Sequence, residues 1–225
     1  MLLGNTQSAR CNTELAKIVN QLQISDLTCV RGETTIFSAL NLHVQSHDIV
    51  QVQGCNGSGK TSLLRILCGL AQPVSGSVRW NNTDVHEDRH ELHQQLIYIG
   101  HRLGVCEDLT PLENLRFTCD ITTPTSTNRA RAALAQFGLE HVADEVTRLL
   151  SAGQLQRTAL ARLLVNNAQL WCLDEPFTAL DEEGRAVVEA IITENAANGG
   201  ICFVATHQPM NIPATSVKIL DLDVL

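Results

Sequence analysis

The sequence predicts an α/β fold in which a mostly helical segment is inserted into a core of alternating strands and helices. Over residues 22–52 the apolar residues recur at the short spacing of β-strands. Residues from about 101 to 167 follow a helical pattern without a β-branched run. Strand and helix alternate again from Leu170 onward. We expect a short extension over residues 1–20 and one domain over residues 21–225, a length that suits a single domain.

Start and stop signals bound the expected helices. Helical periodicity begins at Lys60. Thr110-Pro111 followed by Glu113 is typical of a helix start, because threonine caps, proline suits the first turn and glutamate reaches back to the cap. Gly138 ends a helix expected over residues 130–137. The remaining expected elements are helices over 157–164 and 182–197 and strands over 76–80, 97–99, 170–173, 201–205 and 217–222.

The composition is that of a globular protein. Hydrophobic residues make up 44% and charged residues 18% of the chain. No run approaches the roughly 20 apolar residues of a membrane-spanning helix, and the first residues lack the pattern of a secretory signal. The formal net charge of −8 argues against a general nucleic-acid-binding surface. We therefore expect a cytoplasmic protein that binds no nucleic acid and reaches a membrane only through partners.

The spacing of cysteines can indicate a zinc site or a set of disulfide bonds. The eight cysteines are scattered along the chain with no CxxC pair. Such spacing favours neither a zinc site nor a set of disulfides. We expect them to be reduced, and several to be buried as small apolar residues.

Residues 54–61 match the phosphate-binding pattern GxxxxGK[ST]. An apolar strand precedes them and an amphipathic helix follows, which argues against a plain glycine-rich turn. Glycines let backbone N–H groups surround an anion, and the helix N-terminus adds its positive dipole end. Lys60 is expected to reach the β- and γ-phosphates, and Thr61 to ligate Mg²⁺. The predicted contacts of the nucleotide here are Gly54, Cys55, Asn56, Gly57, Ser58, Gly59, Lys60, Thr61 and Ser62.

A second apolar strand ends in two carboxylates, Asp174 and Glu175. A phosphate-loop enzyme needs an acid at such a strand end to hold Mg²⁺ through water, which suits Asp174. The adjacent Glu175 is placed to polarise the attacking water. Acid pairs at strand ends are also common surface features, and it is the phosphate loop that favours the catalytic interpretation. Together the two motifs predict a P-loop NTPase.

Residues 150–154, Leu-Ser-Ala-Gly-Gln, resemble the LSGGQ signature of ABC ATPases and lie at that family's distance before the acid pair. Ser151 considered alone would be a plain helix N-cap. Residues 178–181 resemble the family's D-loop, where two subunits touch. His207, at the end of a strand, resembles the switch histidine that senses the γ-phosphate. The resemblance covers nearly the whole chain from about Gln21 onward.

This resemblance implies the fold and further site residues. It implies an ABC-type P-loop fold: a mixed-sheet, RecA-like core with an antiparallel β subdomain and an inserted helical subdomain. It also implies a head-to-tail homodimer with ATP between the phosphate loop of one subunit and the signature of the other. The site residues that it adds are Ser151, Gly153, Gln154 and Asp181 as ATP contacts and Lys60, Glu175 and His207 as catalytic residues.

Two departures from the common ABC pattern narrow the resemblance, and a third concerns the adenine. His101 stands where the Q-loop normally offers a glutamine to Mg²⁺, and Ala152 replaces the first signature glycine. With the run Glu-Pro-Phe-Thr-Ala-Leu-Asp at residues 175–181, these two resemble the haem-exporter ATPases of bacterial cytochrome c maturation. Arg31 stands where the family stacks an aromatic ring on adenine. Its planar guanidinium could stack instead, and a solvated arginine is an equal alternative.

The narrower resemblance implies an integral membrane permease and accessory cytochrome c maturation proteins as partners, at the cytoplasmic face of the bacterial inner membrane. The chain has no CxxCH motif, and we expect no direct haem binding. An ATPase of another exporter remains an alternative, because ABC cassettes share their chemistry across substrates. Soluble ABC proteins that act on DNA or ribosomes typically carry two cassettes, a coiled coil or a basic insertion, which this acidic single cassette lacks.

Overall fold

Two β-sheets frame the protein in the computed structural model, which describes residues 19–120, 126–213 and 217–224. The extension predicted over residues 1–20 lies outside these ranges except for its last two residues. The strands are β1 (Gln21–Arg31), β2 (Thr34–Gln45), β3 (Ile49–Gln53), β4 (Ser75–Trp80), β5 (Thr83–Asp84), β6 (Leu96–Ile99), β7 (Leu170–Asp174), β8 (Ile201–Ala205) and β9 (Val217–Asp221).

Seven α-helices are assigned within the described ranges, and several short 3₁₀ turns accompany them. None of these helices combines the length and apolar character needed to cross a bilayer. The helices are α1 (Lys60–Leu67), α2 (His90–Gln94), α3 (Pro111–Asp120), α4 (Thr127–Gln136), α5 (Ala152–Leu160), α6 (Arg162–Val165) and α7 (Glu182–Ala197).

The first sheet is antiparallel, with strand order β2-β1-β4-β5. Its strands are longer than the apolar spacing predicts, because β1 and β2 continue through irregularities in their register. Asp26 and Ala39 take positive φ angles of 48° and 51° beside these irregularities. The Asn41 side chain bridges the strands there, since its Oδ1 accepts from the Asp26 N–H and its Nδ2 donates to the Asp26 carboxylate. β-Bulges thus join short apolar segments of the sequence into the two long strands β1 and β2.

The second sheet is parallel, with strand order β6-β7-β8-β3-β9. Every residue of β7 and β8 is buried, as expected for a parallel sheet covered on both faces. Alternate residues of β7 enter different cores. Leu170 and Cys172 pack with α1 and the antiparallel sheet, whereas Trp171 and Leu173 pack with α7 and the helical segment. The predicted fold is therefore confirmed.

The helical segment differs from its prediction at three places. Helix α4, predicted over residues 130–137, begins three residues earlier, at Thr127. Residues 101–110 form no helix. The helix predicted over 157–164 begins earlier and is broken, because the Leu164 N–H bonds to the carbonyl of Ala161 three residues back and tightens the turn. The start of α3 is confirmed: Thr110 and Glu113 cap each other reciprocally, at 2.9 and 3.2 Å. The predicted start and end of α7 are also confirmed.

The helical segment shares its core with the parallel sheet, and this predicts a stability effect. Leu115 of α3 is fully buried there, whereas Leu149 is 74% exposed. We expect Leu115→Ala to lower the free energy of unfolding by about 2–5 kcal/mol, because it leaves a cavity. The matched Leu149→Ala should change it by no more than about 0.5 kcal/mol. Urea unfolding would measure both, and equal losses would contradict the assignment of Leu115 to the core.

Candidate nucleotide-binding and hydrolytic site

The carboxyl ends of three neighbouring strands bring the predicted site together. Ala205, the last residue of β8, pairs with Asp174 at the end of β7 and with Val52 in β3. The phosphate loop follows β3, the acid pair ends β7, and His207 follows β8. Groups far apart in the sequence therefore leave the sheet at one level and on one edge.

The phosphate loop leads into a helix whose first turn has no side-chain cap. Helix α1 begins after Gly59, which has a φ of 98° and no side-chain cap, so the first N–H groups of the helix remain available to an anion. A side chain at Gly59 would collide with Ile36. Lys60 is 8% exposed, and its Nζ donates to the carbonyls of Gly54 and Cys55 at 2.8 and 3.1 Å. The ammonium group is thus held over the loop.

The hydroxyl of Ser58 in the phosphate loop is available to donate a hydrogen bond to a ligand. Ser58 Oγ is buried, and it finds no hydrogen-bond partner among the residues that the structure describes. Buried polar groups are normally paired, and an unpaired one is costly. A phosphate oxygen would supply the missing acceptor, so the loop fits the anion predicted for it.

Thr61 and Asp174 form the link between the phosphate loop and the acid pair. Thr61 Oγ1 donates to Asp174 Oδ2 at 2.8 Å. Burial raises the pKa of Asp174, while the hydrogen bond from Thr61 and the nearby His101 and Lys60 act in the opposite direction. A hydroxyl and a carboxylate oxygen at the phosphate position are the hard donors that Mg²⁺ prefers. This donor set fits the predicted metal.

Glu175 and His207 meet at the mouth of the site. Glu175 has a φ of 52°, unusual for a side chain of this size, and its N–H bonds to the Ala205 carbonyl at 2.8 Å. Strain of this kind is typical of functional positions. The His207 Nδ1 lies 3.2–3.3 Å from the two carboxylate oxygens. The geometry allows the imidazole to orient or stabilise the carboxylate.

A cavity of about 240 Å³ lies beside the phosphate loop, and Arg31 is one of the residues that line it. Ile36, Lys60, Thr61 and both members of the acid pair also line it. Arg31 therefore lies where a nucleotide in the phosphate loop can contact it. Whether the guanidinium stacks on adenine stays a prediction.

His101 follows β6, which lies on the side of β7 away from β3 and the phosphate loop. It is exposed and lines a neighbouring cavity together with Asp174 and Glu175. Gly100 immediately before it leaves room for the ring of Tyr98, because an added Cβ would lie 2.6 Å from Tyr98 Oη. The half-buried Tyr98 has its pKa raised to about 12, mainly by burial. The place of His101 suits contact with the metal or its water, and that role stays a prediction.

The signature residues lie outside the 240 Å³ cavity of their own chain, although Ala152 lines the neighbouring cavity beside His101. Ser151 caps α5: its Oγ accepts from the Gln154 N–H at 3.3 Å, and Gln154 Oε1 accepts from the Ser151 N–H at 2.9 Å. The capping interpretation of Ser151 is therefore correct. It is compatible with the predicted phosphate contact, since a capped helix N-terminus still presents N–H groups. The roles of Ser151, Gly153 and Gln154 toward ATP stay predictions.

Asp181 is engaged by two partners within the chain. Its Oδ1 accepts from the Gly184 N–H at 2.9 Å, which caps α7, and from Arg157 Nη2 at 2.5 Å. The Gly184 hydrogen bond and then that of Arg157 lower the pKa of Asp181. The carboxylate thus joins α7 to the signature helix α5. It lies outside the cavity beside Lys60, so a contact with ATP would involve a second chain.

Sequence reasoning missed Asp223, which follows β9. Both oxygens of its carboxylate accept from the Cys55 N–H, at 2.9 and 3.0 Å. These hydrogen bonds lower the pKa of Asp223, and the carboxylate raises the pKa of the Cys55 thiol. A strand end beside the phosphate-loop strand was the available signal. The contact brings the last described turn of the chain against the phosphate loop.

Comparison with known proteins agrees with this geometry. The ABC transporter family model matches residues 37–178. A protein of Mannheimia succiniciproducens named cytochrome c biogenesis ATP-binding export protein CcmA is 44% identical over 91% of this chain and 94% of its own. The protein of that name from Methylococcus capsulatus is 44% identical over 83% and 90%. The chain belongs to the CcmA family of ABC transporter ATP-binding proteins.

Solved structures of ABC cassettes have the same fold as this CcmA-family chain. An ABC transporter ATP-binding protein from Pyrococcus furiosus superposes with a TM-score of 0.78 at 21% identity, over 91% of this chain and 98% of its own. The cassette MJ0796, in a dimeric post-hydrolysis state bound to ADP and Pi, gives a TM-score of 0.75 at 25% identity, over 88% and 94%. With the family and the site together, this chain is an ATP-binding ABC ATPase.

The contact between Cys55 and Asp223 predicts a change in thiol reactivity. Asp223→Asn removes the charge that raises the pKa of Cys55, so the pKa falls and the reactive thiolate becomes more abundant at pH 8. We expect faster alkylation of Cys55 by iodoacetamide, measured by peptide mass spectrometry. Cys106, which is also exposed, serves as the internal control and should react at an unchanged rate. An unchanged or slower reaction at Cys55 would contradict the assigned contact.

Proposed function

We propose that this chain is the ATP-hydrolysing subunit of an ABC transporter for cytochrome c biogenesis. In this function it couples ATP hydrolysis to haem export or to release of a haem-loaded chaperone. The observation that carries the proposal is 44% identity, over 91% of the chain, to a protein named for ATP-binding export in cytochrome c biogenesis. His101 and Ala152 support it, since both depart from the common ABC pattern in the direction of that branch.

The residues at the sheet edge support a hydrolytic mechanism. Lys60 and the N–H groups of α1 would hold the β- and γ-phosphates of ATP. Thr61 and, through water, Asp174 would hold Mg²⁺, which neutralises developing phosphate charge when bound. Glu175 orients a water and accepts its proton as the oxygen attacks the γ-phosphorus. The bond between that phosphorus and the leaving ADP oxygen breaks at the same step. His207 keeps the Glu175 carboxylate in place and senses the γ-phosphate.

A head-to-tail homodimer would complete the site. The signature lies away from the cavity of its own chain, and the capped N-terminus of α5 is free to face a phosphate held by a second copy. Dimeric solved cassettes with TM-scores of 0.75 and 0.76 support this arrangement. In the proposed dimer Ser151, Gly153, Gln154 and Asp181 act on the partner's nucleotide. Closure with ATP and opening after hydrolysis would drive an integral membrane permease and its accessory proteins at the inner membrane.

Glu175→Gln tests the hydrolytic part of the proposal. We expect the variant to bind ATP, to remain dimeric with ATP bound and to hydrolyse it at least about 100-fold more slowly, because glutamine cannot accept the proton. Nucleotide binding, size-exclusion chromatography and phosphate release would measure these properties. Glu194→Gln, the same change at an exposed position on α7, is the matched control and should hydrolyse normally. Normal turnover by Glu175→Gln would reject Glu175 as the base.

A complementation experiment with purification of the complex tests the transported substrate class. In a bacterium lacking its own copy of this gene, the tagged chain should restore covalent haem in c-type cytochromes and co-purify with one integral membrane permease. Lys60→Ala should bind the permease without restoring haem attachment, since it removes the phosphate-binding ammonium. Normal haem attachment in the deletion strain would point instead to an exporter for another substrate.

His101→Gln separates hydrolysis from coupling. An imidazole nitrogen and a carboxamide oxygen can each present a lone pair to the metal or its water, so glutamine can take the place of histidine there. We expect the isolated variant to retain its basal ATPase activity and to lose part of the stimulation that the permease gives. Assays with and without the reconstituted permease would measure the two separately. Complete loss of hydrolysis in the isolated subunit would contradict this division of roles.

A further inference from the structure

The loop that carries His207 is hydrogen-bonded to Arg185 of α7, which also forms an ion pair within that helix. The Arg185 side chain is 22% exposed. Its Nη1 donates to Gln208 Oε1 at 2.7 Å, and its Nη2 donates to the carbonyl oxygen of Pro209. Its Nε donates to the Glu189 carboxylate at 3.1 Å. One guanidinium therefore joins helix α7 to the two residues that follow His207.

Both members of the partly buried Arg185–Glu189 ion pair reach neighbouring segments. The Glu189 side chain is 8% exposed, and its Oε1 also accepts from the Asn211 N–H at 2.9 Å. The Arg185 guanidinium carbon lies 4.9 Å from the centre of the Phe177 ring, within cation–π range. Phe177 belongs to the segment that leads from Glu175 to α7. The pair thus fixes the relative position of that segment and the His207 loop.

The same loop is anchored on its other side by Gln51 of β3. Gln51 is 5% exposed, and its Nε2 donates to the Gln208 carbonyl at 3.0 Å. The Gln208 N–H in turn donates to Thr206 Oγ1 at 3.1 Å. The His207 side chain itself is 61% exposed and contacts the Glu175 carboxylate. Because most of the imidazole is exposed to solvent, its position depends on the backbone that these hydrogen bonds hold.

We propose that Arg185 is a positioning residue for ATP hydrolysis, which holds the backbone after His207 so that the imidazole stays against Glu175. The inference rests on the roles proposed above for Glu175 and His207. Three acceptors, one on α7 and two on the loop after His207, surround one planar guanidinium, an arrangement that lysine cannot reproduce. Arg185 touches neither nucleotide nor metal in this proposal, and it acts only through His207.

A matched pair at Gln208 tests the contact without disturbing the buried charges. Gln208→Glu keeps an oxygen acceptor for Arg185, whereas Gln208→Leu removes it. We expect kcat for ATP hydrolysis to fall about tenfold or more in Gln208→Leu and to stay within about threefold in Gln208→Glu, because small displacements of catalytic groups are costly. The KM for ATP should be unchanged in both variants, since the phosphate loop is untouched.

A double-mutant cycle separates positioning from general structural damage. If Arg185 acts through His207, Arg185→Ala lowers kcat in the wild-type background and has little further effect in the His207→Ala background. Structural damage would lower kcat by the same factor in both backgrounds. Arg131→Ala removes an exposed ion pair with Asp144 and should leave kcat unchanged.

The outcomes distinguish this inference from the proposed function. Unchanged turnover in His207→Ala would reject the proposed role of His207, and the positioning role with it. Reduced turnover in His207→Ala alongside normal turnover in Gln208→Leu would reject the positioning role alone. Equal effects of Arg185→Ala in both backgrounds would do the same. Should Arg185→Ala fail to fold, the Gln208 pair decides, since neither variant leaves a buried charge unpaired.

Discussion

The parallel register of the five-stranded sheet is the constraint on which the rest of the site depends. Ala205 pairs with Asp174 on one side and with Val52 on the other, so three strands end at one level. The Thr61 hydroxyl then reaches the Asp174 carboxylate at 2.8 Å across 113 residues of sequence. The loops after β6 and β9 reach the same edge. A slip of one residue in β7 would turn the Asp174 side chain to the other face of the sheet and break this contact.

A second constraint ties the acid pair to the signature helix of the same chain. Gln156 Nε2 donates to the Pro176 carbonyl at 2.9 Å, and Arg157 pairs with Asp181. Residues 175–181 are therefore attached to α5 at both of their ends. Since the signature of one chain would face the partner's nucleotide in the proposed dimer, a movement of this segment at one site would be transmitted to the other. Within each chain, this coupling would run through the contacts of Gln156 and Arg157 with residues 175–181.

Local patterns predicted the elements whose signals are local, and tertiary contacts account for the misses. Helix α7 has the predicted bounds because Asp181 caps its start and two glycines end it. The break at Ala161 has no sequence signal. There the Arg162 guanidinium donates to the carbonyl oxygen of Leu103 at 2.6 Å, a contact with the distant loop after β6. The phosphate loop was recognisable as a motif, whereas the Asp223 contact was not, because its partner is a backbone N–H.

The two signature positions where ABC cassettes carry glycine are not equivalent in this fold. Ala152 is exposed at the first turn of α5 and borders the cavity that His101 and Glu175 line, so its methyl group has room. Gly153 lies against the next segment, where an added Cβ would come within 2.9 Å of the Ala179 carbonyl. That carbonyl is a backbone group, which cannot move aside as the end of a flexible side chain can. Packing therefore explains why an alanine is accommodated at residue 152, whereas residue 153 requires glycine.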